Sequence, residues 1–475
     1  MVTFDDIRAM MQKKSVDAYV VTHNNRFIGQ DILDSENKIK YLCGFSGSAG
    51  ILAITREHAY LLVDGRYELQ ARRETDPTVI TVVDRIPRLK NVCDVLNEQE
   101  NVYVIGYDAW NHSVAEMEFI KRKYAPTEFK DVGDLLKLSD KRKVKVLERE
   151  IEFSGLTRED KMGCLCSIMK KRKVDSFLLT SADSVSWLLN LYARDLPYSP
   201  VVRAGALVFN DGHVCLIEAN LQANIPVIDW QNIEDMIGSG NQHKMLYDPH
   251  TMPEKVKNML NVKLIKTPDY CQEWKAEKNP TELQGMIDCH IRDGVAVSKL
   301  LCWLEKNWRG LSEIDVVNKL HELRASQKYF FSESFATIAG SAENSAIVHY
   351  QPSESSNAEL RENNLLLLDS GGQYLDGTTD VTRTIVFGKP SKEMKADFTA
   401  VLKAHIALAQ AIFPVETSGA KLDVIAREKI WQKSVDYKHG TGHGVACFGN
   451  VHEGPISISL TGTEYGFKLN MVTSN

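Results

Sequence analysis

One stretch of the chain occurs twice. Val16-Asp-Ala-Tyr-Val-Val-Thr22 matches Val174-Asp-Ser-Phe-Leu-Leu-Thr180, and Ala49-Gly-Ile-Leu-Ala-Ile-Thr-Arg-Glu-His58 matches Ala204-Gly-Ala-Leu-Val-Phe-Asn-Asp-Gly-His213, at nearly the same separation. Two copies of one domain are the simplest reading of such self-similarity. Each copy opens on a helical segment, Thr3 to Lys14 and Thr157 to Arg172, followed by an apolar strand and a strand-turn-strand unit. Helices alternating with apolar strands predict an α/β layer fold whose sheet is mainly flanked by helices. The mixed-charge run Lys141 to Glu150 reads as a solvated linker or helix face, which places a first boundary at 150 and leaves domains over 1–150 and 151–275.

The remaining segment, 276–475, has a different pattern. Glu282 to Glu305 carries apolar residues at helical spacing, and Ser312 followed by Asp315 predicts a capped helix running to about Arg324. Met394 to Phe413 and Leu422 to Gln432 are two further expected helices, with strands expected at Phe335 to Ala339, at Ala346 to Tyr350 and in a hairpin after Leu365. The third domain is therefore expected to be α+β.

That hairpin, Leu365-Leu-Leu-Leu-Asp-Ser-Gly-Gly-Gln-Tyr-Leu-Asp-Gly-Thr-Thr-Asp-Val-Thr-Arg-Thr-Ile-Val-Phe387, holds Asp369 and Asp380. With Asp376 and Gly377 as the central turn pair, Asp380 faces Gln373 and Asp369 faces Thr384. Both carboxylates then point to one face of the sheet, but four positions out of register, so a bulge or longer loop is expected to bring them opposite each other. An aspartate at the end of a four-leucine run is costly to bury unless it is paired or binds a metal. In an isolated hairpin the favoured reading is that Asp380 caps a loop and Asp369 accepts backbone hydrogen bonds.

The histidines shift that balance. His439 and His443 lie four apart in His439-Gly-Thr-Gly-His-Gly444, His452 follows in Asn450-Val-His-Glu-Gly-Pro455, and His349 is placed at the end of a strand. Any one of them is more often structural than a ligand. Imidazole with carboxylate suits Mn²⁺, Co²⁺ or Zn²⁺, and a bridging carboxylate suits a pair of ions sharing one water.

Bulk properties exclude other classes. The formal charge of -6 and pI near 6.1 argue against nucleic acid or an anionic membrane as partner. No apolar run approaches the ~18 residues of a membrane helix, and the acidic amino terminus is unlike a signal peptide, so a cytoplasmic protein is expected. The nine cysteines contain no Cys-x-x-Cys pair and read as reduced core thiols.

The stretch Asp369 to Thr384, His439 to Gly444 and Asn450 to Pro455 resemble the three-domain aminopeptidase P family of pita-bread metallopeptidases. Gly47-Ser-Ala-Gly50, Asp64-Gly-Arg-Tyr67 and Trp187-Leu-Leu-Asn190 resemble its two creatinase-like amino-terminal domains, so the likeness spans the chain. The resemblance implies two creatinase-like α/β domains and a pita-bread catalytic domain that removes the first residue from peptides with proline second. It implies two divalent ions, usually manganese, with Asp369 on one, Asp380 bridging and His443 on the other. His349 and His452 would contact substrate and handle protons, His439 would line the proline pocket, and a homodimer would be the working form.

In that family a Glu-Pro-Gly motif and a later glutamate supply two more ligands, and neither is found before Asn475; Glu453 and Glu464 fall too early and outside the motif. The chain is therefore expected to be a carboxyl-truncated member with an incomplete domain, weak metal binding and little or no activity. A prolidase-type dipeptidase, which lacks the second repeat, and a non-catalytic pita-bread binding module are the alternatives.

Overall fold

A computed structural model describes residues 2–29, 32–99, 102–138, 142–238, 240–462 and 465–475. It divides into two compact units. The first spans Met1–Glu148, Arg158–Leu196 and Val202–Asp269, and the second Arg149–Thr157, Pro197–Val201 and Tyr270–Asn475.

The repeat is reproduced in the backbone of the first unit. Helix α1 (Phe4–Lys14) starts where Thr3 and Asp6 form a reciprocal capping box, and leads into a six-stranded sheet. Its strands are β1 (Ala18–Thr22), β2 (Ile51–Thr55), β3 (Ala59–Val63), β4 (Thr81–Asp84), β5 (Val104–Tyr107) and β6 (Glu128–Asp131), in the order β4-β3-β2-β1-β5-β6. After α2 (Arg158–Arg172) come β7 (Ser176–Leu179), β8 (Gly205–Phe209), β9 (Val214–Ile217), β10 (Val227–Ile228), β11 (Gly240–Tyr247) and β12 (Val262–Lys266), in the order β10-β9-β8-β7-β11-β12. Every pairing in the second sheet has the sense of its counterpart: the β1–β2 and β7–β8 pairs are antiparallel, the β1–β5 and β7–β11 pairs parallel. Burial explains the composition, since β1, β2 and β3 are buried along their whole length, as near-continuous apolar runs require.

The charged run before residue 150 differs from a solvated linker. Val144–Lys145 and Leu147–Glu148 are short strands that pair with Leu221–Gln222 and Leu191–Tyr192. Arg149 belongs to the second unit, where its guanidinium donates to the carbonyls of Cys447, Phe153 and Leu375.

In the second unit α3 (Pro280–Asn307) and α4 (Glu313–Ala325) both carry capping boxes, at Asn279 with Glu282 and at Ser312 with Asp315. They pack on β13 (Phe330–Glu333), β14 (Ile338–Ser341), β15 (Asn364–Ser370), β16 (Gly372–Tyr374), β17 (Gly377–Thr378) and β18 (Val381–Phe387). Helices α5 (Lys392–Ala409) and α6 (Gly419–Trp431) follow, then β19 (Gly442–Gly444), β20 (Glu453–Ile458) and β21 (Thr473–Ser474). No described helix is long and apolar enough to cross a membrane.

Two expectations for this unit are corrected. Residues 346–350 are not a strand: a 3-10 turn covers Ala342–Ala346, and an irregular loop follows. The buried Glu313 carboxylate accepts from the Ser341 and Ala358 N–H groups, the Asn344 amide and the Tyr350 hydroxyl at 2.6 to 3.0 Å. That hub satisfies the loop's polar groups locally and overrides the strand preference of Ile347 and Val348.

The hairpin is centred one residue earlier than expected, on Leu375 and Asp376, because Tyr374 pairs with Gly377 and Gln373 with Thr378. The same register continues into the outer arms, where Asp369 pairs with Thr382 and Ser370 with Val381, so no bulge is needed. Packing decided the register. The turn lies against α3, where a Cβ on Gly285 would sit 2.2 Å from the Asp376 carbonyl oxygen, and Arg292 pairs with the Asp376 carboxylate. The ladder instead breaks at Gly371, which separates two small sheets. A Cβ there would lie 2.0 Å from the Thr379 carbonyl oxygen and 2.2 Å from Ser334 Oγ. Gly371→Ala is expected to cost about 3 kcal/mol, read as a lowered urea midpoint with an unchanged slope.

Candidate active site

Each carboxylate owes its position to the corrected register. Asp369 is the penultimate residue of β15, flanked by Ile338 on β14 and Thr382 on β18. Asp380 lies just before β18, two positions along from Thr382, so the two aspartates keep the same face and become diagonal neighbours, a separation of about 7–8 Å between Cα atoms.

Their environments differ. Asp369 accepts hydrogen bonds from the Thr382 side chain and the Ser370 N–H, yet burial and then the nearby Asp380 charge push its carboxyl up to about 6. Its Oδ1 is buried without a hydrogen-bond partner. Asp380 is opposite in behaviour: burial alone would raise it, but the hydrogen bond and charge of His443, with Ser474 and His452, hold it below the usual carboxylate range. His443 Nε2 stands 3.2 Å from Asp380 Oδ2. Burial disfavours its protonation, and Asp380, the Gly444 carbonyl and Asp369 outweigh that and raise it. The His452 ring lies 4.2 Å, centroid to centroid, from that of His443.

Asp369, Asp380, His443 and His452 are thus gathered from β15, the start of β18, β19 and the loop before β20. His439 and His349 are placed differently. His439 is exposed, with its ring 4.8 Å from that of Tyr437, and His349 is half-buried in the loop after the 3-10 turn. Among the described residues no group of three or more His, Cys, Asp or Glu side chains stands as a ready-made metal cluster.

The donors nevertheless fit a divalent cation. A desolvated carboxyl with an orphaned oxygen, repelled by a second carboxylate, is the situation a cation relieves. His443 neutralises Asp380. Glu453 makes no such contribution, because Lys275 and Lys278 engage its buried carboxylate. Glu464 lies outside the described residues.

The supporting residues carried no recognisable motif. On α6, buried Arg427 bonds Asp423 through Nε at 2.6 Å and the His439 carbonyl through Nη2 at 2.6 Å, while the Thr441 hydroxyl donates to Asp423. This clamp holds the glycine-rich loop that presents His443. An Asp and Arg four apart on a helix were the available signal.

Residues 284–475 match the family model described as metallopeptidase family M24, and residues 4–139 and 138–282 match two models of the creatinase/prolidase N-terminal domain. The chain is 34% identical to a probable Xaa-Pro aminopeptidase P of Laccaria bicolor, covering 99% of this chain and 78% of the relative. It is also 34% identical to one of Pyricularia oryzae, covering 95% and 80%. Among solved structures, the X-prolyl aminopeptidase of Caenorhabditis elegans, described as a cytosolic enzyme with a di-nuclear active site, superposes with a TM-score of 0.87 at 30% identity, over 96% of this chain and 80% of that one. The Pyrococcus horikoshii prolidase, at 23% identity and a TM-score of 0.53 over 66% of this chain and 89% of that one, shares the fold.

Proposed function

The chain belongs to the Xaa-Pro aminopeptidase P family, with the M24 metallopeptidase domain preceded by two creatinase-like domains, and is by family a hydrolase; from that premise we propose that its site removes the amino-terminal residue from peptides with proline in second position. The observation that carries this reading is the gathering of Asp369, Asp380 and His443, with Asp369 Oδ1 left unpartnered. Asp369 and His443 would each hold one divalent ion, with Asp380 shared between the two; Mn²⁺ is the proposed metal. Such ions supply Lewis acidity and make water acidic enough to act as a nucleophile near neutral pH. His452, against His443, would hold or pass a proton at the departing nitrogen. His349 and His439 are proposed for substrate contact, and the reading extends to a cytoplasmic homodimer.

Asp369, Asp380 and His443 are the donors proposed to hold these ions. The test follows the disappearance of the free Mn²⁺ paramagnetic resonance signal on titration, then the release of arginine from Arg-Pro-Pro and from Arg-Pro. Binding that vanishes in Asp380→Ala, with turnover favouring the tripeptide, supports the proposal. Preference for the dipeptide would indicate a prolidase, and a folded chain that ignores Mn²⁺ would indicate a binding module.

The protonation states set a pH dependence. A metal must displace a proton from Asp369 below about 6 and from the raised His443, so Mn²⁺ affinity is expected to fall as pH drops through that value. In the metal-free chain the sign reverses for stability: the folded state binds the Asp369 proton more tightly than the unfolded chain does. This group therefore favours folding below 3.8 and loses that contribution as pH rises through about 6.

A further inference from the structure

The loop that carries His452 is braced by side chains that the peptidase reading does not use. Gln373, fully buried on β16, donates through Nε2 to the Gly449 carbonyl at 2.7 Å and to the Tyr198 carbonyl at 3.1 Å, and its Oε1 accepts from the Thr378 hydroxyl at 2.8 Å. The Thr378 oxygen also accepts from the Gly449 N–H at 3.2 Å. Both backbone groups of Gly449 are thereby satisfied by side chains of the hairpin, as a neighbouring strand would satisfy them. One residue on, the hydroxyl of buried Ser199 donates to Asn450 Oδ1 at 2.6 Å. Tyr198 and Ser199 belong to Pro197–Val201, which is part of the second unit although it lies within the second repeat in sequence.

The backbone here is strained as well as braced. Phe448 has a φ of 55°, a left-handed conformation that a bulky residue keeps only where its surroundings over-determine it. The Phe331 ring packs edge-on against it at 5.2 Å, and the Arg149 guanidinium lies 5.3 Å over it. Beyond Asn450, Val451 is buried and the Glu453 carboxylate is held by Lys275 and Lys278. His452 is therefore an exposed side chain on a backbone fixed on both sides, and its ring stands 4.2 Å from that of His443. Exposed loop residues are ordinarily the mobile ones. We propose that Gln373, Thr378 and Ser199 are positioning residues for His452: they touch no substrate and fix where its imidazole stands for the proton step. The inference rests on the role given to His452 above. Gln373 and Thr378 lie between Asp369 and Asp380 in the chain and pair with each other across the hairpin. One element thus sets both the proposed metal-holding carboxylates and the group that handles the proton, so their separation does not depend on the loop alone.

The test uses NMR of the full chain, metal-free, at one pH and labelled with histidine carrying ¹³C at Cε1. The His452 signal is assigned as the one missing from His452→Gln. Thr378→Val, Ser199→Ala and Gln373→Leu should each broaden that signal or move it toward the position of a freely exposed histidine, because the ring then leaves the neighbourhood of the His443 ring. Thr378→Val and Ser199→Ala are the milder changes and decide the matter if Gln373→Leu does not fold. In the Mn²⁺-loaded chain, kcat for arginine release from Arg-Pro-Pro should fall at least about tenfold in the same variants with KM within about twofold, the split expected when a group acting in the transition state is displaced. A lowered thermal midpoint with the His452 signal unmoved would show a merely structural brace and overturn the proposal, as would a rise in KM with kcat unchanged. The two readings fail separately. Turnover that survives His452→Gln overturns the proton role of His452, while an unmoved signal beside turnover lost in His452→Gln overturns the positioning and leaves that role intact.

Discussion

Asp380→Ala is expected to abolish measurable Mn²⁺ binding while leaving the chain folded. Asp380 is the one residue the proposed site assigns to both ions, and it also holds His443 in place at 3.2 Å. Outer-shell partners alone are commonly worth 10–100-fold in metal affinity, so loss of the shared carboxylate should exceed ~100-fold. The substitution relieves the repulsion that raises Asp369 but removes the partner of His443, two opposed effects, so the metal-free chain should stay folded with only a modest change in thermal midpoint.

Arg324→Met is expected to be the most destabilising single change in the second unit. Arg324 is fully buried on α4, with Nε and Nη2 on the two oxygens of Asp293 at 2.7 and 3.1 Å, Nη1 on Glu333 at 2.9 Å and Nη2 also on Ser370 Oγ at 3.0 Å. The Tyr374 hydroxyl completes the group by donating to Asp293 at 2.9 Å. Methionine keeps much of the volume but leaves Asp293 charged, buried and short of its partner, a loss of about 3–5 kcal/mol for pairs of this kind. Chemical denaturation should show that loss. The double change Arg324→Met with Asp293→Leu should recover a substantial part of it, because the desolvation cost of both charges then disappears. If the double variant is no more stable than the single one, the network's value lies in the remaining hydrogen bonds to Ser370 and Tyr374. Those two residues flank the hairpin break at Gly371, so Arg324→Met should also weaken Mn²⁺ binding through displacement of Asp369.

Much of this was legible in local chemistry. Capping boxes at Thr3 and Ser312 are satisfied within three residues, so those helix starts depend on no distant partner. The duplicated segment predicted two like sheets because strand order follows from which apolar runs must be buried together. The shared face of Asp369 and Asp380 survived the shift in turn centre, since the offset between Asp380 and Thr382 remains even and alternation in a strand is strict.

Other features depended on partners far away in sequence. The turn centre was set by α3 against Asp376, ninety-one residues from Gly285. Residues 346–350 lost their strand to the Glu313 hub. The Arg427 clamp, the Arg324 network and the Gln373 brace are charged or polar groups whose environment is supplied by other elements. Residue pattern alone was enough for the repeat, the helix starts, the paired aspartates and their family. Register, the pairing of Asp380 with His443 and the raised carboxyl of Asp369 were decided only on packing, because each depends on burial and on charges that the linear order does not bring together.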